Sequence, residues 1–429
     1  MTRIVRTSQN FEREPMRSPW GFKGGFLTES WQSIVRLETD SGHSAVGLGA
    51  QSVLWSDADV FVENSESAGN AQMLLLTAAA LQQVKRAEYS TPIELLNELL
   101  PLVHARGKVI TDHEALRLTF ALNSLVPVDC AAWRIAALER GQGAKFEDLI
   151  PEFARPAMKF RHDRITSVPA VGYGMAIEDV RALVDDGFYI LKIKIGSDPR
   201  QDGDQDAMLA WDKDRMTAIH GAVEHARLPQ SPTRRVLYYL DANGRYDSSE
   251  RVLRLLDHLA EIDALAHCVL LEEPFPEHVR AEVGDFPIPV VADESAHTAQ
   301  DVIDRINLGY GAIALKPAAK TLSMSFQMVQ AAFDRGIPCF CADLTVNPAL
   351  VDWNKVFAAH LAPLPGLAKM ILETNGFQNY RNWKSMVERH PLPDADWIWP
   401  IDGEFQLSDE FYAQSGGMFG PLPYYERSV

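Results

Sequence analysis

Cysteine is scarce, with four in 429 residues. Cys130, Cys268, Cys339 and Cys341 are too few for a disulfide framework and lack the paired spacing of a zinc site. Cys339 and Cys341 alternate on one apparent strand and read as small core residues. Long apolar runs are missing too: nowhere do about 18 consecutive apolar residues occur, so no segment reads as membrane-spanning. The opening MTRIVRTSQNFEREP has no apolar core of the signal-peptide type, and the expected compartment is the cytoplasm. Positive charge is in deficit, with 41 Lys and Arg against 58 Asp and Glu, a net charge of −17. That argues against nucleic acid or an anionic membrane as the main partner. It leaves room for an anionic small substrate, because a local metal or lysine cluster outweighs the global field. The remaining composition, 46% hydrophobic and 23% charged, is that of an ordinary soluble globular chain.

Three regions follow one another. Residues 1 to about 60 read as β structure. The alternating run from Trp31 to Thr39, the turn Asp40-Ser-Gly-His and the run Ser44-Ala-Val-Gly-Leu-Gly make a hairpin. Before it, Ser18-Pro-Trp-Gly-Phe-Lys-Gly-Gly is a glycine-rich loop, read either as plain packing or as a flap laying Trp20, Phe22 or Lys23 over a ligand. From about 70 to 150 the apolar spacing becomes helical, as in Ala71–Leu81, Pro92–Leu100 and Leu116–Leu122, and no chemistry shows there. From about 165, short apolar strands alternate with amphipathic helices. Eight strands are expected: Val168–Tyr173, Ile190–Ile195, Val236–Leu240, Cys268–Glu272, Pro289–Ala292, Ala312–Leu315, Pro338–Cys341 and Met370–Leu372. Repeated βα units imply parallel strands, and eight imply a closed (β/α)8 barrel, an α/β fold. The expected division is an α+β cap at 1–150, a barrel at 165–379 and a Pro-, Trp- and Tyr-rich segment at 380–429 returning to the cap. The long gap at 198–235 is expected to hold a helix plus a surface insertion.

In such a barrel the site is built at the C-terminal strand ends. Strand two ends in Lys192-Ile-Lys194, whose ammonium groups share one face of the strand. They either pair with acids and solvent, or repel each other so that the pKa of at least one falls and a base results. Strands three, four and five end in Asp241-Ala-Asn, Glu272-Glu-Pro and Asp293-Glu-Ser. Converging carboxylates repel and require a cation among them. Hard oxygen ligands favour Mg²⁺, with Mn²⁺ as a substitute, and Asp241, Glu272 and Asp293 are the expected ligands. A single Asp or Glu here would be an ordinary helix cap; three in register are not. Strand six ends at Lys316, on the opposite side of the barrel from strand two, so Lys194 and Lys316 are expected to face each other across a substrate.

This ordered set resembles the enolase superfamily, in its muconate-lactonizing-enzyme subgroup (the mandelate racemase/muconate lactonizing enzyme family), a modified TIM barrel with an α+β capping domain. The resemblance implies that Lys194 and Lys316 are the acid/base pair. Lys192 would lower the pKa of Lys194 and contact the substrate carboxylate. Asn243 and Glu294 would stand behind the ligands, and cap loops 18–25 and 48–58 would set specificity. It also implies a homo-oligomer. Departures bear on the substrate. Lys316-Pro-Ala-Ala-Lys replaces the Gly-Gly pair of many relatives, and Leu372-Glu373-Thr-Asn375 replaces the Asp-x-Asp of dipeptide epimerases. Strand seven, Cys341-Ala-Asp343, has no histidine. Trp20, Lys23, Asp343, Glu373 and Asn375 are the candidates for substrate contact.

The function expected is a Mg²⁺-dependent isomerase (racemase, epimerase or cycloisomerase) that removes the α-proton of a small carboxylate through a metal-stabilised enolate. A lyase, like o-succinylbenzoate synthase or an acid-sugar dehydratase, would use the same site. A non-catalytic binding protein would be expected to lack ligands, and none is lacking.

Overall fold

The computed structural model describes residues 1–85, 87–141 and 143–429. Strand one of the barrel is Arg164–Val168, continued after Pro169 by Ala170–Val171. The others are Ile190–Lys194, Leu237–Asp241, Cys268–Glu272, Val290–Ala292, Ala312–Leu315, Cys339–Cys341 and Ile371–Glu373, counted as strands two to eight. Each pairs in parallel with the next. The ring closes through strand one, whose first part pairs with strand eight and whose second part pairs with strand two. The break at Pro169 lets one strand serve both neighbours: proline donates nothing to the ladder, and its carbonyl accepts from Lys192 N at 3.0 Å. Helices cover the outside, so strands such as Ile-Leu-Lys-Ile-Lys are buried along their whole length.

Two details depart from the expected repeat. Strand one begins at Arg164, before the expected Val168, because Glu404–Gln406 returns to pair antiparallel with Arg164–Thr166 and extends it. The link from strand four to strand five contains no helix. It carries Pro274, Pro276, Pro287 and Pro289, which remove helical donors and fix the backbone. The 198–235 gap holds the helix Gln205–Val223, followed by turns over 224–235.

The cap is a sheet of Thr2–Phe22, Gly25–Thr39 and Ser44–Gln51, with Glu88–Tyr89 at its edge. The hairpin at Asp40–His43 is present, and the glycine-rich segment before it is the tip of a second, longer hairpin. Its two turn residues, Lys23 (φ +49°) and Gly24 (φ +76°), are both left-handed, as a two-residue turn matching strand twist requires. Helices Glu66–Val84, Pro92–Thr111 and Leu118–Arg140 pack on the sheet. Residues 380–429 contact both domains: Arg389 pairs with Glu12 (3.0 Å) and Glu14 (2.8 Å) of the cap, and Trp397 O accepts from Lys355 Nζ of the barrel at 2.7 Å. Among the described residues no helix is long and apolar enough to cross a membrane.

Candidate active site

Strand register sets the first level of the site. Lys194 pairs with Asp241, and Asp241 with Glu272, so three strands deliver charged side chains side by side. All are buried, as are Lys192, Asp293 and Lys316. Lys192 Nζ donates to both Glu272 oxygens at 3.0 Å and to Glu373 Oε2 at 2.9 Å, and lies 3.0 Å from Asp241 Oδ2. Lys194 donates to Asn243 Oδ1 at 3.0 Å and to Asp241. The chain is left-handed just past several strand ends, at Asn243 (φ +45°), Glu273 (φ +40°) and Thr345 (φ +56°). Such conformations in non-glycine residues cluster where a site dictates the backbone.

Repulsion between neighbouring lysines predicts a depressed pKa, and Lys192 shows the reverse. Burial pushes it down, but Asp241, Glu272 and Glu373 outweigh burial and hold its ammonium well above the usual lysine range. The sequence places two lysines side by side, whereas the fold surrounds one of them with three acids. Burial likewise raises Glu272, to about 8, against the pull of Lys192 and with help from Asp293. For Asp241 and Asp293 burial is overcome by lysines, and both carboxyls lie below their ordinary range. Lys316, beside Asp293, is raised despite burial.

Oxygen atoms of Glu272, Asp293 and Glu294 lie within 4.8 Å of one another. The Asp293 oxygens have ion contacts with Lys316 and Lys320 but no well-aligned hydrogen bond, and buried Glu294 Oε2 has no partner. An all-oxygen, anionic, under-satisfied donor set fits a hard divalent cation. Asp241 stands beside this cluster, held by Lys192 and Lys194. Glu294 Oε1 accepts from Asn243 Nδ2 at 2.8 Å, which ties the rims of strands three and five.

A cavity opens above these groups, bordered by Lys192, Lys194 and Lys316 on the barrel side and by Trp20, Phe22, Ser52 and Trp55 from the cap. Cap aromatics cover the two opposed lysines: the Phe22 ring centre is 5.5 Å from Lys194 Nζ, and that of Trp55 is 4.7 Å from Lys316 Nζ. Asp343, Glu373 and Asn375 border the same cavity. Asp343 accepts backbone N–H groups from Leu344, Val346 and Asn375, and burial pushes its carboxyl up to about 7. Glu373 is taken by Lys192, Asp343 N and Asn375 Nδ2. Lys23 is apart from this group. Its Nζ donates to Trp55 O at 3.0 Å, and it borders a neighbouring cavity with Arg117 and Glu277.

Sequence reasoning overlooked two residues. Trp55 sits in the expected loop region 48–58, but its type alone says core. Lys320, fully buried, lies 3.1 Å from Asp293 Oδ1 and donates to the carbonyls of Asp293 (2.6 Å) and Ala296 (2.9 Å). Its signal was the four-residue spacing from Lys316, one helical turn, in place of the expected glycines.

A family profile described as enolase C-terminal domain-like matches residues 175–396. No protein of curated function matches the chain by sequence. Among solved structures, a mandelate racemase/muconate lactonizing protein from Herpetosiphon aurantiacus is similar at a TM-score of 0.65 and 16% identity, over 95% of this chain and 96% of that one. A dipeptide epimerase from Enterococcus faecalis V583, complexed with Mg and L-Leu-L-Tyr, gives 0.58 and 17% over 86% and 90%. An N-succinyl Arg/Lys racemase from Bacillus cereus ATCC 14579 gives 0.60 and 15% over 88% and 89%. At these identities the likeness is one of fold, whereas the profile covers just over half of the sequence. The chain belongs to the enolase superfamily of enzymes, in its mandelate racemase/muconate lactonizing enzyme family.

Proposed function

We propose that the protein is a Mg²⁺-dependent isomerase, a racemase, epimerase or cycloisomerase, acting on the α-carbon of a small carboxylate. One observation carries the reading: Lys194 and Lys316, from strands on opposite sides of the barrel, border the same cavity, with buried carboxylates between them. The solved structures of similar fold include racemases and epimerases, some with Mg bound.

The residues divide the work. Lys194, in its neutral form, takes the α-proton from one face of the substrate, and the Lys316 ammonium returns a proton to the other. In the reverse direction the two exchange roles. Lys192 has its three donors on Glu272 and Glu373, so it holds the carboxylates in place and offsets their mutual repulsion. Glu272 and Asp293 would hold Mg²⁺ together with Asp241 from strand three, with Asn243 behind them and Glu294, whose free Oε2 belongs to the same oxygen cluster, alongside. When bound, that cation supplies positive charge to the substrate carboxylate as the enolate develops. Phe22 and Trp55 keep water from the lysines, which favours transfer to carbon over leakage to solvent.

The test is α-proton exchange in D2O with Mg²⁺ across a mixed panel of carboxylates, with Lys194→Ala and Lys316→Ala alongside. Exchange without loss of water is expected, and loss of water would assign a lyase instead. Each variant should abolish epimerisation yet still bind Mg²⁺ by calorimetry. Full-rate racemisation by either one refutes the two-base scheme.

A further inference from the structure

Lys320 is fully buried, and no step of the proposed reaction uses it. A buried lysine is costly unless its charge and its donors are met. Here they are met at one place. Its Nζ donates to the carbonyls of Asp293 (2.6 Å) and Ala296 (2.9 Å) and makes an ion contact with Asp293 Oδ1 at 3.1 Å. The backbone is bent just beyond it. Thr321 has φ +74°, a left-handed conformation that is costly for a β-branched residue and persists only where the surroundings impose it.

The two oxygens of Asp293 are thus held by lysines of different freedom. Oδ2 is 2.5 Å from Lys316, which borders the cavity and has no second carboxylate or carbonyl partner among the described residues. Lys320 has two carbonyl anchors and lies behind the cavity wall. A cation arriving at Asp293 can take the place of Lys316 at Oδ2. Taking the place of Lys320 at Oδ1 would strand a buried ammonium and two carbonyls.

The neighbouring carboxylates are restricted in the same sense. Lys192 donates to both oxygens of Glu272. Asn243 N donates to Asp241 Oδ1 at 3.0 Å, and Asn243 Nδ2 donates to Glu294 Oε1, leaving only Oε2 free. The cluster offers single oxygens from several residues and no carboxylate with both oxygens to spare. Ca²⁺ takes about six to eight oxygens and often both from one carboxylate, whereas Mg²⁺ takes about six in a stricter octahedron, usually one per carboxylate.

We propose that Lys320 is a positioning residue for cation selectivity: by occupying Asp293 Oδ1 it leaves that ligand one oxygen to give, so the site takes Mg²⁺ in preference to Ca²⁺. This rests on the reading of the cluster as a metal site.

The test is calorimetric titration of the wild-type and Lys320→Met proteins with Mg²⁺ and, separately, with Ca²⁺. The wild type should bind Mg²⁺ at least about tenfold more tightly than Ca²⁺. Methionine keeps the length of the side chain and removes its charge, which frees Oδ1. The ratio of the two dissociation constants should then shift toward Ca²⁺ by about 10–100-fold. Lys320→Gln, which keeps a donor for one carbonyl, should shift the ratio the same way and serves if the methionine variant does not fold. A lysine that only braced the Asp293–Ala296 loop would weaken both ions alike. An unchanged ratio in a folded variant, or a wild type without the preference for Mg²⁺, overturns the proposal and leaves the isomerase standing. Failure of the wild type to bind either ion overturns the metal reading as well.

Discussion

Lys192 shows how one side chain can hold a site together before any chemistry occurs. Its ammonium is in contact with three buried carboxylates, those of Asp241, Glu272 and Glu373. Removing one partner from a buried ionic cluster leaves the others uncompensated, at about 3–5 kcal/mol. Lys192→Met, which keeps the length of the side chain, should lower the unfolding free energy by that order in a urea titration. Saturating Mg²⁺ should restore part of the loss, about 2.7 kcal/mol at a hundred times the dissociation constant. A melt insensitive to Mg²⁺ in both proteins would remove the cation from the cluster. Lys23, next to the flap aromatic Phe22, is the opposite case. The glycine-rich segment offers it as a ligand contact, and in the structure its ammonium donates to a cap carbonyl.

Among the elements, the cap sheet and the helix Leu118–Arg140 approach each other unusually closely. A Cβ on Gly47 would stand 2.0 Å from Pro127 O and 2.5 Å from Ala131 N, both backbone atoms that cannot move aside. Gly47→Ala should therefore destabilise the protein by about 3 kcal/mol, the upper end of ordinary overpacking, read as a lower urea midpoint with unchanged slope. This contact matters to the site because the same sheet carries Trp20 and Phe22 to the cavity. The hairpin that presents them was only half legible. Alternation in Trp31–Thr39 and the turn signal at Asp40 are local features, while Thr2–Phe22 breaks its alternation at Pro15–Trp20, where the register shifts.

At the scale of the whole molecule, the cavity exists only where cap meets barrel, so whatever latches the two controls it. Asp129 of the cap accepts from the N-terminal backbone of the barrel helix Leu322–Phe333, from Leu322 N (2.9 Å) and Ser323 N (3.2 Å). Trp133 reinforces this by donating to Ser323 Oγ at 2.9 Å. Burial pushes the Asp129 carboxyl up to about 7, against the pull of these donors. In the unfolded chain it titrates near about 3.9. Between about pH 4 and about pH 7 the folded protein keeps a proton that the unfolded chain has released. Its contribution to stability is thus full below about 4 and is lost as pH rises through about 7. Asp129→Asn, unable to titrate, should flatten the fall in urea midpoint between pH 5 and pH 7.5. An unchanged slope would place the pH dependence elsewhere, on buried carboxyls such as Asp212 and Asp343, each also raised to about 7 by burial.

By itself the sequence determined the barrel, the order of its strands and the positions of the charged strand ends. These follow from local periodicity, and in a parallel barrel every C-terminal strand end reaches the same rim. The likeness to the enolase superfamily was legible for the same reason, since its motifs are short and lie at strand ends. Tertiary structure alone decided the partners of those charges. That Lys192 is ringed by acids, that Lys320 braces Asp293, that Asp343 and Glu373 are already satisfied, and that Trp55 roofs Lys316 all depend on residues brought together from distant segments. Charge, burial and hydrogen bonding are properties of a surrounding, and a linear chain does not carry its surroundings.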